Sequence, residues 1–350
     1  MAKSVLVTGH NGYLGSVMAP AFCRAGYDVT GLDTCYFGEC TLVPDSLEIP
    51  AISKDIRDLE AHDLEGFYAV VHLAALSNDP IGNLRSEWTD QINFMSSVRL
   101  AELAKAAGVR RFLFSSSCIM YGMSEAAVVN EDSPLSPQTE YARSKVRCEE
   151  ALTRLAGDGF SPTMLRNGTV YGLSPRMRFD TVFNDLVGAA ATSGKVIVTS
   201  NGQPWRPVVH VQDVARAFVA VLNAPVSDVH NQAFNTGCEA LNHRVIELAE
   251  IAVNTVPGAA LEIKAQPGAD QRTYKADFGK FERTFPGFRF NWNLKEGARE
   301  LYEAFRAVGL TPADYVDKRF TRLKWLQYLL ETEQLDDHLR WKNDRGQVRS

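Results

Sequence analysis

The first residues of the chain combine a short apolar strand, a turn with three regularly spaced glycines and a helix. Ser4–Thr8 have the composition of a buried strand, and Leu14–Ala25 have helical spacing. The glycines between them, Gly9, Gly12 and Gly15, follow a Gly-x-x-Gly-x-x-Gly spacing. Glycines at a strand-to-helix turn let the backbone approach a pyrophosphate at the helix N-terminus, where free N–H groups and the helix dipole favour anions. The turn therefore predicts a dinucleotide site in a fold of alternating strands and helices.

The second predicted strand ends at Asp33, about twenty residues after the glycine turn. A carboxylate at this position can accept hydrogen bonds from the adenosine ribose hydroxyls, and it repels the 2′-phosphate of NADP. The next residues, Thr34–Phe37, include no cation that would bind such a phosphate. Asp33 could instead cap a loop, but the pattern favours NAD over NADP. The other residues expected at the cofactor are Asn11, Tyr13 and Leu14 in the turn, Asp55 and Ile56 at the adenine, and Leu73, Ala74 and Ala75 at the nicotinamide ribose.

Further strand and helix patterns alternate along the chain. The strand patterns are Asp28–Leu32, Ala69–Leu73 and Arg111–Ser115, and the helical patterns are Trp88–Ala107, Glu140–Ala156 and Asp314–Leu330. Apolar strands separated by helices are typical of a parallel sheet that is covered on both faces. We therefore predict an α/β fold with a Rossmann-like, doubly wound parallel sheet. Strands at Thr163–Arg166 and Val208–Val211 are expected to extend the same sheet.

The chain is predicted to form two domains. Residues 1–166 and about 207–233 are expected to form the NAD-binding Rossmann domain. Residues 167–206 and 234–342 have mixed patterns with turns rich in Gly, Pro and Asn, and they are expected to form a smaller, mixed α/β substrate domain. The tail 343–350 is expected to be frayed.

Tyr141 and Lys145 stand four residues apart, so a helix over this region places them on one face. A phenol with a pKa of about 10 is a poor base at neutral pH, but a neighbouring ammonium stabilises the phenolate. Ser115–Ser117 end a predicted strand upstream, and a hydroxyl there could hydrogen-bond the substrate oxygen that Tyr141 deprotonates. His72, in an apolar run, is instead predicted to be a hydrogen-bonded core residue. Together with the glycine turn that precedes them in the sequence, the Ser, Tyr and Lys residues predict acid–base chemistry beside a nicotinamide cofactor.

From Lys3 to about Arg306 the sequence resembles the extended short-chain dehydrogenases/reductases that act on nucleotide sugars. The resemblance implies that Tyr141 is the acid/base and that Lys145 is its partner. It also implies that Ser117 is the hydroxyl that shares the substrate oxygen. An NAD cofactor and a nucleoside-diphosphate-sugar substrate are implied in the same way.

The resemblance extends to residues that would hold the substrate. The segment Arg206–Val214 looks like the family's Arg-x-x-x-His-Val-x-Asp segment, whose arginine grips the diphosphate, a contact that suits a bidentate guanidinium. Arg272 matches a second phosphate-binding arginine. Either arginine could instead be a surface or interface residue. The other substrate contacts that the resemblance implies are Ser77, Asn78 and Thr169 near the sugar and Asn184 over the diphosphate.

Two departures from the family pattern bear on the reaction. Members that are 4,6-dehydratases carry Asp-Glu directly after the catalytic hydroxyl, where this chain has Cys118 and Ile119. Neither side chain can act as a carboxylic acid, so dehydratase activity is disfavoured. Epimerases of the UDP-galactose type often have Asn where this chain has Thr169, so the substrate contacts must differ. Cys118 is interpreted as a small buried thiol and not as the cysteine that some epimerases use.

An NDP-sugar epimerase that acts through a keto-sugar intermediate is the first hypothesis. In this reaction a sugar hydroxyl is oxidised by NAD while Tyr141 takes the proton, and the hydride returns after the ketone has turned. An NDP-4-keto-sugar reductase and an NDP-uronic acid decarboxylase are alternatives. A non-catalytic dinucleotide sensor on the same fold is disfavoured because Ser117, Tyr141 and Lys145 occur together.

Composition limits the expected partners and compartment. The formal net charge of −5 and the pI of about 5.9 give no positive field for nucleic acid, so no nucleic-acid partner is expected. The six cysteines are scattered without a Cys-x-x-Cys pair, which predicts neither a metal site nor disulfides and favours a reducing compartment. No apolar run is long enough for a membrane span, and the N-terminal strand leaves no room for a secretory signal. We therefore expect a cytoplasmic protein without a membrane partner.

A homodimer is expected from the family resemblance. Its contact is predicted to be a four-helix bundle built from Trp88–Ala107 and Glu140–Ala156 of each subunit. Phe94, Val98 and Leu152 are apolar positions that could pack across the two-fold axis. The same residues could instead face their own sheet, and periodicity alone does not separate the two arrangements.

Overall fold

The computed structural model describes residues 2–77, 79–123, 128–266 and 272–342. Asn78, one of the predicted substrate contacts, and the predicted frayed tail 343–350 lie outside these residues. Within the described ranges no helix is long and apolar enough to cross a membrane. The same ranges contain no group of three or more His, Cys, Asp or Glu side chains that could hold a metal ion.

Strands and helices alternate through most of the chain. The strands are β1 (Ser4–Thr8), β2 (Asp28–Asp33), β3 (Ala51–Ser53), β4 (Ala69–His72), β5 (Arg111–Ser117), β6 (Ser161–Asn167), β7 (Thr169–Tyr171), β8 (Lys195–Val198), β9 (Trp205–His210), β10 (Gln232–Thr236), β11 (Asn242–Arg244) and β12 (Ala260–Ile263). The helices are α1 (Gly15–Arg24), α2 (Asp79–Leu84), α3 (Ser86–Thr89), α4 (Ser96–Ala106), α5 (Glu140–Leu155), α6 (Val182–Ser193), α7 (Val211–Asn223), α8 (Val226–Val229), α9 (Val245–Thr255), α10 (Gly279–Thr284), α11 (Leu294–Ala307), α12 (Pro312–Tyr315) and α13 (Arg322–Glu331).

Seven of the described strands form one parallel sheet in the order β10-β6-β5-β4-β1-β2-β3. Val5, Leu6 and Val7 of β1 are fully buried, because helices cover both faces of the sheet. Helices α4 and α5 pack on one face, and α1 and α7 pack on the other. The predicted Rossmann-like, doubly wound fold is confirmed. The strand order reverses between β1 and β4, and α/β sheets bind ligands at the carboxyl ends of the strands at such a point.

The remaining described strands form two smaller sheets. Strand β9 pairs in parallel with β7 and antiparallel with β11, and β8 and β12 form a parallel pair. Helices α6, α9 and α11 pack together around a separate apolar cluster that includes Phe183, Leu248 and Leu301. This part of the chain is the smaller, mixed α/β structure that the sequence predicts.

The strand near Val208–Val211 does not extend the main sheet, and this expectation was wrong. It forms β9, which pairs with β7, while the place beside β6 in the main sheet belongs to β10. The chain leaves β6 at Gly168, where a Cβ atom would lie only 3.0 Å from the carbonyl oxygen of Pro207. That close approach lets β7 pair with β9 directly after β6. An apolar, β-branched run predicts a strand but does not specify its neighbour.

The chain after β9 returns to the main sheet as helix α7. Phe218 of this helix packs in one buried cluster with Leu113 of β5. The buried guanidinium of Arg111 donates hydrogen bonds to the carbonyl oxygens of Val221 (2.8 Å) and Ala224 (3.1 Å) at the end of the helix. Strand β10 follows in the main sheet, so the expected boundary near residue 233 falls inside a strand of that sheet. The division into two domains stays a prediction.

The long helix predicted over Trp88–Ala107 is interrupted. Helices α3 and α4 flank a π-helical turn, Asp90–Met95, and such turns are frequent at functional sites. The buried side chain of Asn93 in this turn accepts a hydrogen bond from the Leu76 N–H (2.8 Å) and donates one to the Leu76 carbonyl (3.1 Å). The turn thereby fixes the backbone that follows β4.

The C-terminal segment, defined as residues 322–342, packs against the main sheet and its helices. The helix predicted over Asp314–Leu330 is divided into α12 and α13. Trp325 and Leu329 of α13 are buried in the same core cluster as Leu59. This placement differs from the expected one, which put the segment in the substrate domain.

One of the three apolar residues predicted at a dimer contact is not available for it. Leu152 is 2 % exposed and belongs to the core between α5 and the main sheet, so that part of the expectation was wrong. Phe94 and Val98 are partly exposed. The guanidinium of Arg147 lies 3.6 Å from the centre of the Phe94 ring and covers part of it.

His72, at the end of β4, is a buried and fully hydrogen-bonded residue. Its Nδ1 lies 2.7 Å from the Thr8 hydroxyl, and its Nε2 lies 2.7 Å from the Ser97 hydroxyl. Burial lowers the pKa of His72 to about 3, and the Lys145 ammonium acts in the same direction. The interpretation of His72 as a core histidine is confirmed.

This environment predicts a pH dependence of stability. The pKa of His72 is about 3 in the folded chain and 6.5 ordinarily, so its neutral ring contributes stability that is present above pH 6.5 and is lost as the pH falls towards 3. We expect His72→Gln to make the decline in the free energy of unfolding shallower between about pH 7.5 and about pH 5, as measured by urea denaturation. The exposed His62 offers a matched control, because His62→Gln should keep the wild-type slope. An unchanged slope in His72→Gln would contradict the assignment.

Candidate active site

A cleft of about 1090 Å³ opens at the carboxyl ends of β1, β2, β4 and β5, and residues of the smaller sheets form its other wall. The predicted site residues that line it are Gly9, Gly12, Tyr13, Leu14, Gly15, Asp33, Asp55, Ile56, Leu73, Ala74, Ala75, Ser77, Ser117, Tyr141, Lys145, Thr169, Arg206 and Arg272. Asn11 and Asn184 are not among the lining residues. Motifs that are far apart in the sequence therefore meet in one cavity.

The glycine turn packs directly against the end of β4. Gly9 has a φ of +74°, and a Cβ atom on it would lie 2.7 Å from the Ala74 nitrogen. A Cβ atom on Gly15 would lie 2.1 Å from the Gly9 carbonyl oxygen. Only glycine fits at these distances. The turn thus places the N-terminus of α1 beside Leu73–Ala75. The residues predicted for the adenosine half and for the nicotinamide half of a dinucleotide line one cavity, so the residues present fit NAD.

Asp33 lies at the end of β2 on the cleft wall. Its carboxylate oxygens accept hydrogen bonds from the N–H groups of Asn11 (3.0 Å) and Cys35 (2.8 Å). Asp33 therefore caps the loop, and a carboxylate keeps further lone pairs that ribose hydroxyls can use. Asn11 acts through its backbone, because its side chain does not reach the cleft wall. No salt bridge with a described side chain neutralises Asp33, which suits NAD and disfavours a 2′-phosphate.

Asp55 is held by an arginine that the sequence did not single out. The side chain of Arg57 forms a salt bridge of 2.6 Å with Asp55, and the Arg57 N–H donates to the same carboxylate at 2.8 Å. Arg340 of the C-terminal segment lies 3.4 Å from Asp55 as well. These contacts take up much of the hydrogen-bonding capacity that was predicted for the adenine amino group, while Asp55 and Ile56 both remain on the cleft wall.

Tyr141 and Lys145 lie one turn apart on the side of α5 that faces the cleft. Thr139 caps this helix through a hydrogen bond from the Ala142 N–H (3.1 Å), which sets the start of the helix. Lys145 is 4 % exposed, and its ammonium donates to the Ser115 carbonyl at 2.6 Å. The same nitrogen lies 5.6 Å from the centre of the Tyr141 ring. Burial lowers the pKa of Lys145 to about 8.

Ser117 is distinguished from its two neighbours by its exposure, because Ser115 and Ser116 are buried and Ser117 is partly exposed. The Ser116 hydroxyl donates to the carboxylate of Glu149 at 2.5 Å, and the Ser115 hydroxyl accepts from the Asn167 amide at 3.2 Å. Among the described residues, the Ser117 oxygen accepts from the Ile119 N–H at 3.2 Å and donates to no side chain or carbonyl, so its O–H can donate to a substrate oxygen in the cleft.

Cys118 points away from the cleft. It is fully buried, and its Sγ lies 3.1 Å from the Arg166 carbonyl oxygen, to which it donates. Burial raises the pKa of the thiol, so the thiol stays protonated at neutral pH. The interpretation of Cys118 as a small buried thiol is confirmed.

Two arginines that line the cleft stand side by side. Arg206 lies on β9, and Arg272 follows the gap in the described residues. The Arg206 guanidinium donates to the Arg272 carbonyl and to the Trp205 carbonyl (2.9 Å), which fixes its direction. Both arginines line the cleft, so they can hold one diphosphate together.

Asn184 does not lie over the cleft, in contrast to the prediction. It is fully buried in α6. Its amide oxygen accepts from the Gly172 N–H (3.0 Å), and its amide nitrogen donates to the Tyr13 hydroxyl (3.1 Å). Both ends of the amide are thus used inside the protein. Asn184 instead supports the glycine turn from behind, through Tyr13.

Four charged residues that were not predicted at the site also line the cleft: Arg178, Asp180, Asp185 and Arg322. The Arg178 guanidinium donates to Asp180 at 2.7 Å and to the Ser77 hydroxyl at 3.0 Å, so the predicted substrate residue Ser77 is held by an arginine. The only signal for Arg178 was the alternation of charged and apolar residues over 176–180 in a segment rich in turn residues. Arg322 had no such signal, because it reaches the cleft from the C-terminal segment.

Comparisons with known proteins agree with this geometry. The model of the NAD dependent epimerase/dehydratase family matches residues 5–237. A UDP-glucose 4-epimerase of Corynebacterium glutamicum is 30% identical over 67% of this chain and 74% of that protein.

Solved structures of similar proteins share the fold. An NAD-dependent NDP-hexosamine 5,6-dehydratase involved in tunicamycin biosynthesis is 26% identical, with a TM-score of 0.77 over 87% of this chain and 98% of that one. A UDP-glucose 4-epimerase from Thermotoga maritima with UDP-glucose is 25% identical, with a TM-score of 0.76 over 87% and 99% of the two chains. The chain belongs to the NAD-dependent epimerase/dehydratase family and is an NAD-dependent nucleotide-sugar enzyme of the extended short-chain dehydrogenase/reductase type.

Proposed function

We propose that the chain is an NDP-sugar 4-epimerase that works through a keto-sugar intermediate. The observation that carries the proposal is that Ser117, Tyr141 and Lys145 line the same cleft as the glycine turn and the two arginines, Arg206 and Arg272. The similarity to UDP-glucose 4-epimerases supports C4 as the reacting carbon and a uridine diphosphate as the carrier.

The proposed roles follow from the environment of each side chain. When bound, NAD supplies the hydride acceptor and donor. Tyr141 takes the proton of the sugar hydroxyl as the carbon is oxidised and returns it as the carbon is reduced. Lys145, whose pKa is about 8, is charged at neutral pH and stabilises the phenolate. Ser117 donates a hydrogen bond to the same sugar oxygen.

The neighbourhood of Ser117 disfavours a 4,6-dehydratase. Elimination of water across a sugar bond needs an acid beside the catalytic hydroxyl. The next two residues are Cys118, which is buried with a raised pKa, and the aliphatic Ile119. Neither side chain supplies a proton at neutral pH, so the redox-neutral reaction at one carbon fits this chain better.

Epimerisation also requires that the keto-sugar can turn while its carrier stays bound. Arg206 and Arg272 lie side by side on the cleft wall and would hold the diphosphate there. Thr169 and Ser77 line the same cleft, and the proposal places the sugar beside them. This arrangement fixes the carrier and leaves the sugar free to present either face.

The assembly and the compartment are part of the same proposal. We propose a homodimer through α4 and α5, with Phe94 and Val98 at the contact and Leu152 in the core of each subunit. We also propose the NAD-binding and substrate domains as two units and the cytoplasm as the compartment.

The first prediction concerns the reaction. The purified protein should interconvert UDP-glucose and UDP-galactose, or another pair of C4 epimers in a panel of UDP-sugars, without net formation of NADH. Proton NMR of the sugar and absorbance of the cofactor measure the two quantities. Release of carbon dioxide from a UDP-uronic acid, or stoichiometric oxidation of NAD(P)H by a 4-keto-sugar, would instead identify a decarboxylase or a reductase and would contradict the proposal.

The second prediction concerns the catalytic side chains. Tyr141→Phe should lower kcat by roughly 10²- to 10⁴-fold, because the general base is lost while the ring volume is kept. Ser117→Ala should have a smaller effect, since it removes one hydrogen bond. Lys145→Met should lower kcat and weaken NAD binding, since the ammonium serves both. Steady-state kinetics and NAD titration measure these effects.

The buried Ser116 provides a matched control for this series. Its hydroxyl is bonded to Glu149 inside the protein, so Ser116→Ala should change stability more than kcat. Near-normal turnover in Tyr141→Phe would show that another group moves the proton.

The third prediction concerns the diphosphate. Arg206→Ala and Arg272→Ala should each raise the substrate KM about ten- to a hundredfold, since each removes a charge-assisted contact worth roughly 1.5–3 kcal/mol. NAD affinity should stay the same. Lys275, which lies over the Trp205 ring and does not line the cleft, is the control, and Lys275→Ala should leave KM unchanged. An unchanged KM in both arginine variants would place the diphosphate elsewhere.

A further inference from the structure

This chain is longer than two of the solved structures to which it is similar. The two structures compared above cover 87% of this chain but 98% and 99% of their own. The sequence resemblance to the family ends near Arg306, before the C-terminal segment of residues 322–342 begins. The place of this segment in the fold therefore needs an explanation other than the sequence resemblance.

The C-terminal segment is anchored by burial. Trp325, Leu326, Leu329, Leu335 and Leu339 are each 3 % exposed or less, and all belong to the core cluster of the NAD side of the molecule. Burial of side chains of this size typically stabilises a docked segment strongly. The segment is thus an integral part of the hydrophobic core and not a loose tail.

The segment holds the loop that follows Asp33. The Trp341 indole N–H donates to the Thr34 carbonyl at 2.7 Å, and the Trp325 indole N–H donates to the Tyr36 carbonyl at 2.6 Å. The Tyr36 hydroxyl donates in turn to the Leu339 carbonyl. Asp33, Thr34 and Tyr36 all line the cleft, on the side predicted for the adenosine ribose.

The segment also holds the second loop of the predicted adenosine site. The Arg57 guanidinium donates to the carbonyls of His338 (2.6 Å) and Leu339 (3.0 Å). Arg340 forms salt bridges with Asp55 (3.4 Å) and with Asp58. The two loops that frame the adenosine end of the cleft are therefore tied to one another through the C-terminal segment.

The first residue of the segment reaches the cleft itself. The Arg322 guanidinium is 4.3 Å from the centre of the Phe37 ring and donates to the Arg176 carbonyl at 2.7 Å. Arg322 lies close enough to Arg178 that the two charges repel, and burial together with this repulsion lowers the pKa of Arg322 to about 10. Asp180 forms a salt bridge with Arg178 (2.7 Å) and accepts a hydrogen bond from the backbone N–H of Arg322 (3.2 Å). The carboxylate is thus paired with the Arg178 guanidinium, and the buried Arg322 guanidinium can offer its charge to a bound diphosphate.

We propose that the C-terminal segment is a cofactor clamp: it fixes both loops of the adenosine site and supplies Arg322 to the diphosphate of NAD, so that NAD leaves only when the segment undocks. The proposal rests on the NAD site inferred from Asp33 and Asp55 and not on which sugar is the substrate. It predicts slow exchange of NAD, which suits a reaction that returns the hydride in every turnover.

Release of NAD from the holoenzyme tests the clamp without any measurement of sugar chemistry. The enzyme is loaded with labelled NAD, and its release is followed in excess unlabelled NAD. Arg340→Gln and Trp341→Phe should each speed release about tenfold, which corresponds to about 1.4 kcal/mol. Arg340→Lys should restore part of the retention, since it keeps the charge towards Asp55 and Asp58. Lys324→Gln, an exposed change on the same segment, should release NAD at the wild-type rate.

The outcomes separate the clamp from simpler explanations. Unchanged release in both Arg340→Gln and Trp341→Phe, with circular dichroism showing a folded protein, would overturn the proposal, as would equally fast release from Lys324→Gln. Arg322→Gln distinguishes the two diphosphates that the cleft can hold. It should weaken NAD binding and leave the affinity for UDP, measured by calorimetry, unchanged. Weaker UDP binding with normal NAD binding would assign Arg322 to the substrate and would remove it from the clamp.

Discussion

The rest of the site depends on a close backbone contact between the glycine turn and the residues that follow β4, a contact that leaves no room for a side chain. The Gly9 backbone lies against that of Ala74, and Gly15 lies against Gly9, at distances that no Cβ atom tolerates. This contact sets the entry of α1 above the sheet and brings the predicted pyrophosphate turn beside the predicted nicotinamide segment. The proposed catalytic residue Ser117 ends β5, which pairs with β4 in the sheet. Its position is therefore set relative to the same contact.

Local patterns predicted most of the main sheet and most of the cleft. Strand β1 and helix α5 begin at the residues expected. Their signals, an apolar run for the strand and the capping residue Thr139 for the helix, depend only on residues close by in the sequence. The neighbour of β9 could not be predicted in this way, since pairing depends on the turn at Gly168 and not on the composition of the strand. Asn184 shows the same limit: an amide in a helix has the same sequence signal whether it faces a ligand or the Tyr13 hydroxyl.

Buried charge is used in two distinct ways in this molecule. Arg166 and Glu149 form a closed pair at 2.7 Å, with Tyr121 and Ser116 completing their hydrogen bonds, and such a pair is structural. The Lys145 ammonium donates to the Ser115 carbonyl and lies over the rings of Phe114 and Tyr141, and it forms no salt bridge with a described carboxylate, so its charge remains directed at the cleft. Sequence alone does not separate these cases, because both depend on partners that are distant along the chain. A buried cation without a neutralising carboxylate is the better candidate for a functional residue than one that is closely paired with a carboxylate.

The continuity of β9 and α7 has a consequence for the length of molecule that the cleft accepts. His210 is both the last residue of β9 and the N-cap of α7, and α7 is packed on the main sheet. Arg206, four residues earlier, is therefore joined to the sheet by regular secondary structure and not by a loop. The distance between Arg206 and Tyr141 is therefore expected to stay constant. With Arg206 and Tyr141 in their proposed roles, a carrier with one phosphate or three would set its sugar short of the phenol or past it, so a fixed span would favour a diphosphate linkage before any contact with the sugar is made.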